Sequence, residues 1–320
     1  MKIGVFSPIF GQLDLEPMLD AVKAAGLDAV EIGTGNYPGD KHCKPDELLA
    51  DADKLARFRD ALESRGLILS ALSCHGNPLH PDRAFAQRSH DTYVKTLKLA
   101  EKLEVGVVNL FSGCPGDGPD GRQPNWVTCA WPSEFSDIVR WQWDESVIPY
   151  WREAGPMAAD HGVKLGFEMH PGFVVYNPGT LLRLRDAVGP MICANLDPSH
   201  LFWQQIDPIL TIRELGEAVV HVHAKDTAID PWNMARNGVL DSTPYRDVAA
   251  RSWVFRTVGY GHDTLFWKRF VSTLRVAGYD YVLSIEHEDS LASTGEGLSK
   301  AIAVLREAVL DEPANAMWWS

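Results

Sequence analysis

The sequence has a deficit of positive charge and few cysteines. Lys and Arg total 30 against 43 Asp and Glu, which gives the 320-residue chain a formal net charge of -13. Because nucleic acids and anionic membranes are bound through basic surfaces, this balance argues against both as partners. The five cysteines are scattered and form no CxxC pair, which is typical of reduced thiols rather than of a disulfide frame or a zinc-thiolate site.

Long apolar runs are also absent. No run approaches the roughly 20 residues that span a bilayer. The first segment, MKIGVFSPIFGQLDLEP, reaches Gly, Gln and Asp too early for the core of a signal peptide. We therefore expect a cytoplasmic protein with no membrane partner. With 45% hydrophobic and 23% charged residues, the composition is that of an ordinary globular protein with a large core.

What the chain does contain is a repeated unit: a short apolar run, a polar or Gly-containing turn and a longer helical pattern. Eight runs are predicted as strands: Ile3–Phe6, Ala29–Ile32, Leu67–Leu72, Val105–Phe111, Val163–Phe167, Ile192–Leu196, Val219–Val222 and Tyr281–Ile285. The predicted helices include Glu16–Ala25, Pro45–Ser64, Phe85–Leu103, Pro208–Leu215, Leu265–Ala277 and Gly297–Val309. Eight strand–helix units without a linker favour a closed (β/α)₈ TIM barrel. A dinucleotide-binding sheet is disfavoured because Phe6-Ser7-Pro8 replaces the G-x-G-x-x-G fingerprint, so we expect no nucleotide cofactor.

Two long connections interrupt the even spacing of the units. Residues 112–135 and 224–262 follow the fourth and seventh predicted strands and are aromatic and rich in Gly and Pro. Long loops in compact domains usually carry function, and loops that follow barrel strands lie on the face where active sites form. We predict a single barrel domain over residues 1–310 and a C-terminal tail over 311–320.

Acidic and imidazole side chains stand at the carboxyl ends of four successive predicted strands. Glu168, Asp197 and Glu286 end the fifth, sixth and eighth strands, and the seventh carries His221 and His223. Gathered at one mouth, these groups would repel one another or remain unpaired without a cation. Oxygen ligands with one imidazole suit Mn²⁺, Mg²⁺ or Co²⁺ better than a closed thiolate zinc site. Strand alternation puts both histidines on one face, so position alone does not choose between them.

The segments GFEMHP, NLDPSH, HVHAKD, VGYGH and LSIEHED resemble the xylose isomerase-like barrels known as sugar phosphate isomerases/epimerases. That group includes ketose 3-epimerases and inosose dehydratase, with endonuclease IV as a distant relative, and the resemblance covers essentially the whole chain. It implies four metal ligands: Glu168, Asp197, His223 and Glu286. It also implies that His200 of the D-x-x-H motif binds substrate. His223 matches the family ligand better than His221 because it directly precedes Ala-Lys-Asp, and Mn²⁺ is the ion we expect.

Such a site supports proton abstraction next to a carbonyl. A divalent ion with open positions can polarise the carbonyl of a hydroxy-ketone and stabilise the enediolate that follows. The resemblance implies that Glu168 and Glu286 are the acid/base pair, on opposite sides of a bound sugar. His170 lies two residues after Glu168 on the same strand face, and is either a further base or a side chain that orients Glu168 or contacts substrate. The first hypothesis is therefore a metal-dependent sugar isomerase or epimerase.

Four further residues are weaker substrate-binding candidates. His75 and Asn77 follow the third strand, where they either reach a sugar hydroxyl or form the turn before Pro78. Lys225 and Asp226 either contact a sugar hydroxyl or pair with each other, and we favour the pair. The strand ends carry no Gly-rich phosphate cradle and no Arg cluster, so we expect an unphosphorylated sugar or a glycoside as substrate.

Elimination from the β-carbon of the same enediolate gives a second hypothesis. The sequence also resembles the large subunit of bacterial C-glycoside deglycosidases, lyases that cleave 3-keto glycosides and work with a small β-rich subunit. Tryptophans in the two long loops either stack on substrate or cover a partner subunit, so we expect a homo-oligomer or a hetero-oligomer with a small subunit. We prefer the isomerase because isomerases and epimerases are the usual activities of the broader family. The acidic chain disfavours an endonuclease IV-like phosphodiesterase, and the metal-type residues disfavour a non-catalytic sugar-binding barrel.

Overall fold

The structure is a computed structural model that describes residues 1–313, 317 and 319. The strands of this part of the chain are β1 (Lys2–Phe6), β2 (Ala29–Gly33), β3 (Ile68–Ser73), β4 (Val107–Leu110), β5 (Lys164–Glu168), β6 (Ile192–Leu196), β7 (Val219–Ala224), β8 (Asp226–Ile229), β9 (Trp253–Arg256) and β10 (Val282–Ile285). The predicted tail over 311–320 lies partly outside the described residues, and the single-domain assignment stays a prediction.

The α-helices fill the intervals between the strands. They are α1 (Leu15–Ala24), α2 (Pro45–Ala50), α3 (Ala52–Glu63), α4 (Arg83–Leu103), α5 (Ser133–Trp141), α6 (Ile148–Asp160), α7 (Pro178–Val188), α8 (Pro198–Phe202), α9 (Pro208–Leu215), α10 (Pro231–Asn237), α11 (Thr264–Val276) and α12 (Thr294–Ala308). A π-helical segment, Gln142–Val147, joins α5 to α6. Within the described residues, no helix is both long and apolar enough to cross a membrane.

Eight strands close into a parallel barrel in the order β1-β10-β7-β6-β5-β4-β3-β2, with β1 paired to both β10 and β2. The prediction of a (β/α)₈ barrel is thereby confirmed. Strands β2 and β4 are buried at every residue, since their side chains face either the barrel interior or the surrounding helices. The register shifts between Val30 and Glu31 of β2, and such irregularities re-aim side chains near functional sites.

The predicted helix over Pro45–Ser64 is wrong as a single element. Asp51 has extended backbone angles (φ -135°, ψ 106°), and its carboxylate accepts the N–H groups of Asp53 and Lys54 as the N-cap of α3. An Asp that hydrogen-bonds the backbone in this way ends one helix and begins the next. The hydrophobic periodicity continues across Asp51, so the sequence pattern did not reveal the break between the two helices.

The two long connections follow β4 and β7 and lie at the carboxyl mouth of the barrel. The first has no regular element before α5 begins at Ser133. The second is more ordered than the predicted loop, because β8 and β9 pair antiparallel with Asp226 opposite Arg256, and α10 lies between them. Both of these strands are only four residues long, too short for a clear alternating pattern in the sequence.

Candidate metal centre and active site

The carboxyl ends of four neighbouring barrel strands bring four side chains to one point. One ligand atom from each of these residues lies within 4.8 Å of the others: Glu168, Asp197, His223 and Glu286. They come from β5, the turn after β6, β7 and the turn after β10. The first three are buried and Glu286 is partly exposed. The structure thus brings together the four residues predicted as metal ligands, and we call them the ligand cluster.

The donor set of the ligand cluster fits a divalent cation. Oδ1 of Asp197 accepts the N–H of Ser199 at 2.8 Å. Oδ2 is buried and accepts no hydrogen bond from any described residue, with Lys225 Nζ at 3.3 Å and His200 Nε2 at 3.4 Å. The ion pair with Lys225 leaves this buried oxygen without a hydrogen bond, which is costly, and a cation among the ligand atoms would satisfy it. Three carboxylates and one imidazole suit Mn²⁺ or Mg²⁺.

Glu168 is held by two histidines besides its neighbours in the ligand cluster. His200 Nε2 lies 3.1 Å from Oε1, and His75 Nε2 lies 3.0 Å from Oε2. Burial alone would raise the pKa of Glu168, but the close imidazoles of His200 and His75 and the charge of His223 outweigh it and hold the pKa well below the ordinary value. Glu168 is therefore a carboxylate at neutral pH. His200, predicted to bind substrate, lies against the two carboxylates Glu168 and Asp197.

Lys225 is a buried cation inside the site. Its ammonium lies 2.9 Å from both Glu286 Oε2 and Glu288 Oε2. Burial would raise the pKa of Glu286, but Lys225 and His223 lower it to about 2, so this carboxylate is also ionised. The predicted Lys225–Asp226 pair is wrong: alternation along the chain points the two side chains to opposite sides.

Asp226 is fully buried away from the site and holds the loop over residues 259–262. Its Oδ2 accepts the N–H groups of Gly259, Gly261 and His262 at 2.9–3.0 Å, and its Oδ1 lies 2.7 Å from Nδ1 of His262. The carboxylate has no exposed surface. The structure therefore does not bring Asp226 to a substrate, and the VGYGH segment is explained by this anchoring.

Of the two candidates after β3, only one reaches the site. His75 borders the cavity described below and contacts Glu168. The amide of Asn77 instead bonds both the N–H and the carbonyl of Cys114, at 2.9 and 3.0 Å. Asn77 thus ties the loop after β3 to the loop after β4, and it is not among the residues that line the cavity.

A cavity of about 210 Å³ opens beside the ligand cluster. Its lining combines charged and polar side chains with apolar and aromatic ones. The lining residues are Phe6, Pro8, Tyr37, Pro38, His75, Phe111, Glu168, His170, Lys225, Glu286 and Glu288. Phe111 stacks on Phe173 at 4.2 Å between ring centroids, which restricts the movement of this lining residue. No arginine is among the described residues that line the cavity.

His170 lines this cavity with a neutral ring. Its Nδ1 lies 2.6 Å from the carbonyl oxygen of Pro171, so Nδ1 carries the proton and Nε2 is an acceptor. Burial and the charge of His200 lower the pKa of His170 to about 3. The ring packs 4.0 Å from that of His200. This geometry suits a side chain that accepts a hydrogen bond from substrate.

Two acidic residues of the site were not among the predicted site residues. Glu288 borders the cavity and pairs with Lys225. Glu31 is fully buried below the ligand cluster, with both oxygens 3.0–3.1 Å from Nε2 of His223. The signal for Glu31 was a lone carboxylate inside an apolar strand, AVEIG, because a Glu is almost never fully buried without a partner.

Comparisons with known proteins place this geometry in a family. A sequence profile of the xylose isomerase-like TIM barrel matches residues 19–308. The uncharacterised protein YfiH of Bacillus subtilis (strain 168) is 40% identical over 312 residues, 97% of this chain and 99% of that protein. An inosose dehydratase of Geobacillus thermodenitrificans (strain NG80-2) is 25% identical over 169 residues, 52% of this chain and 54% of that protein. The crystal structure of a D-tagatose 3-epimerase-like protein has a TM-score of 0.63 at 19% identity, covering 96% of this chain and 97% of that one.

A closed parallel barrel with acidic and imidazole groups gathered at its carboxyl mouth defines the class of this protein. The chain belongs to the xylose isomerase-like TIM barrel family, and the predicted family resemblance is confirmed. Two of these similar proteins carry an activity in their names, one a dehydratase and one an epimerase-like protein, which agrees with the prediction of an enzyme. The cytoplasmic location stays a prediction.

Proposed function

We propose that this protein is a divalent metal-dependent sugar isomerase or epimerase that removes a proton next to the carbonyl of a keto sugar. One observation carries the proposal. Glu168 and Glu286 belong to the ligand cluster and also line the open cavity. The same two carboxylates therefore border both a place for a cation and a place for a sugar.

The ligand cluster would hold the ion through three carboxylates and Nδ1 of His223. When bound, a divalent ion supplies Lewis-acid polarisation of a carbonyl oxygen, and Mn²⁺ is the ion we prefer for this mixed oxygen and nitrogen set. Glu31 and Glu286 raise the pKa of His223 well above its ordinary value although burial would lower it. Holding a metal ion at Nδ1 therefore requires loss of the proton there.

The carboxylates of Glu168 and Glu286 are the proposed proton acceptors. Both are ionised at neutral pH, as the lowered pKa values show, so each accepts a proton before it donates one. General acid–base transfer of this kind contributes about 10²–10⁴-fold in rate. Lys225 presents its ammonium to the same cavity and is placed to donate a hydrogen bond to a substrate oxygen.

The cavity favours an unphosphorylated sugar or glycoside. Its lining offers Lys225 and three acceptor carboxylates for hydroxyl groups. The rings of Phe6, Tyr37 and Phe111 in the same lining suit the C–H face of a sugar or an attached ring. A phosphate group would face Glu168, Glu286 and Glu288 without an arginine clamp. The charge of the site thus supports a neutral substrate.

Elimination is the second candidate function. The match to an inosose dehydratase favours a lyase that expels the β-substituent of a 3-keto C- or O-glycoside. The Lys225 ammonium could donate a proton to the departing oxygen of an O-glycoside, whereas the departing carbon of a C-glycoside would have to take up a proton itself. Both reactions share the first proton abstraction, so the residues above serve either one.

Product analysis separates the two candidates. The Mn²⁺-supplemented protein is incubated with free ketoses and with 3-keto O- and C-glycosides, and products are identified by chromatography and NMR. Interconversion of sugars without loss of a substituent supports the isomerase or epimerase. Release of aglycone without sugar interconversion would assign the lyase instead.

We also propose an oligomer, with copies of this chain or with a small subunit. Trp131 and Trp232, one from each long connection, are 79% and 83% exposed. Exposed tryptophans are enriched at the centres of protein interfaces. A solution mass above that of one 35.5 kDa chain supports a homo-oligomer, whereas a monomer that gains activity with a small second protein supports the hetero-oligomer.

A further inference from the structure

A buried polar network lies beneath the ligand cluster and has no role in the proton transfer proposed above. Its centre is Glu31, which has no exposed surface. Three side chains from three other strands donate to its carboxylate: Ser73 of β3, Asn109 of β4 at 2.9 Å and Ser284 of β10 at 2.7 Å. A buried carboxylate that gathers so many donors is held ionised and in one orientation.

The fourth partner of Glu31 is the imidazole of the ligand cluster. Nε2 of His223 lies 3.0 and 3.1 Å from the two oxygens of Glu31. Asn195 Nδ2 lies 3.2 Å from the same nitrogen, but the carboxylate is nearer and can only accept. Nε2 therefore carries a proton that is directed at Glu31.

The opposite edge of the same ring faces the other ligands. Nδ1 of His223 lies 3.1 Å from Glu286 Oε2 and 3.4 Å from Glu168 Oε2. Phe6 stacks on the imidazole at 5.5 Å between centroids, with 26° between the planes. The hydrogen bond from Nε2 to Glu31 and the stacking of Phe6 on the ring face together fix the orientation of the His223 imidazole. In this orientation Nδ1 points toward the ligand cluster.

We propose that Glu31 is a positioning residue for the metal: by accepting the Nε2 proton of His223, it fixes the ring with Nδ1 free to ligate the ion. This inference rests on the proposed metal site. A histidine ligand that donates its second N–H to a carboxylate is a better donor to the metal and is held in place, and loss of such a partner typically lowers metal affinity about 10–100-fold.

An alternative reading makes Glu31 a metal ligand itself. Ligand atoms of Glu31, His221 and His223 also lie within 4.8 Å of one another. However, Glu31 is already surrounded by four donors, and His221 is engaged at both nitrogens. Its Nδ1 lies 3.1 Å from Asn195 Oδ1 and its Nε2 lies 3.3 Å from Ser70 Oγ. Hydrogen bonds therefore already satisfy Glu31 and His221, which favours a positioning role for Glu31 over a role as a metal ligand.

The test is a titration of the metal-free protein with Mn²⁺, followed by the EPR signal of the free ion. Wild type, Glu31→Gln and Ser70→Ala are compared. Ser70→Ala is the matched control, since it removes a buried hydroxyl that contacts His221 but not the Glu31–His223 pair. We expect Glu31→Gln to bind Mn²⁺ about 10–100-fold more weakly than wild type, and Ser70→Ala to bind as wild type does.

Equal affinity of wild type and Glu31→Gln would overturn the positioning role while leaving the metal site intact. Failure of wild type to bind Mn²⁺ would instead overturn the metal site itself. A second measurement uses only the wild-type protein, so it does not depend on whether a variant folds. Histidine ¹⁵N NMR of the Zn²⁺-loaded wild type is expected to show Nε2 of His223 protonated and Nδ1 bound to the ion. The reverse assignment would overturn the proposal.

Discussion

At the scale of single residues, Glu286 and Glu288 provide a matched pair. Both lie 2.9 Å from Lys225 Nζ and both line the cavity, but Glu286 alone of the two belongs to the ligand cluster. We predict that Glu286→Gln lowers kcat by about 10²–10⁴-fold, because it removes a proposed base and weakens the metal site. Glu288→Gln keeps the proposed base and the metal site, so we expect a much smaller decrease in kcat.

The measurement is steady-state kinetics of both variants at saturating Mn²⁺, beside a Mn²⁺ titration. Metal saturation separates the loss of the base from the loss of the ligand. An equal, small effect of both substitutions would show that the two glutamates merely pair with Lys225, and that Glu286 is neither base nor ligand.

Residues of the ligand cluster could be predicted from the sequence because their position follows from their place on a strand. Glu168, Asp197, His223 and Glu286 lie at the carboxyl ends of four neighbouring barrel strands, so the fold alone brings them together. Asn77 and Asp226 occupy equally suitable positions in the sequence, yet their side chains bond neighbouring loops. The orientation of such a side chain depends on hydrogen-bond partners that are distant in the sequence. Asp226, for example, accepts the N–H of Gly259. No local sequence pattern predicts such a partner.

At the scale of elements, the loop over 259–262 depends on a glycine that leaves no room for a side chain. A Cβ on Gly261 would lie 2.2 Å from the Thr227 carbonyl oxygen and 2.5 Å from Asp226 Oδ1. The loop would have to move away from Asp226 and lose its hydrogen bonds. We predict that Gly261→Ala lowers the free energy of unfolding by about 1–3 kcal/mol, the usual cost of overpacking.

Denaturant unfolding checks this prediction, with Gly295→Ala as the control. Gly295 lies in the first turn of α12, where an added Cβ meets nothing within 4 Å, so the control is expected to be as stable as wild type or slightly more so. If Gly261→Ala unfolds like the control, the close packing of this loop contributes nothing to stability.

Helices and strands with a clear hydrophobic pattern could be predicted from the sequence. Boundaries that depend on a single side chain could not. Eight apolar runs marked the barrel strands because both faces of a barrel strand are buried. The break between α2 and α3 comes from one Asp51 cap. The β8–β9 pair arises from two four-residue strands that are separated by α10, a separation longer than any hairpin turn signal covers.

At the scale of the whole molecule, the fold gathers negative charge where the proposed chemistry needs a cation. Two carboxylates of the ligand cluster, Glu168 and Glu286, line one cavity together with Glu288. The ammonium of Lys225 lies near Asp197, Glu286 and Glu288. A barrel delivers this arrangement because each strand ends at the same mouth. The proposed reaction therefore needs a divalent ion bound here and begins with loss of a proton next to a carbonyl.

Deuterium exchange tests that claim most directly. The protein is incubated in D₂O with a panel of free ketoses and 3-keto glycosides, with Mn²⁺ or with EDTA, and the substrates are followed by proton NMR. We predict deuterium at the carbon next to the carbonyl with Mn²⁺, none with EDTA, and none above background for Glu286→Gln. Turnover that proceeds equally in EDTA, or with full retention of that proton, would contradict the account.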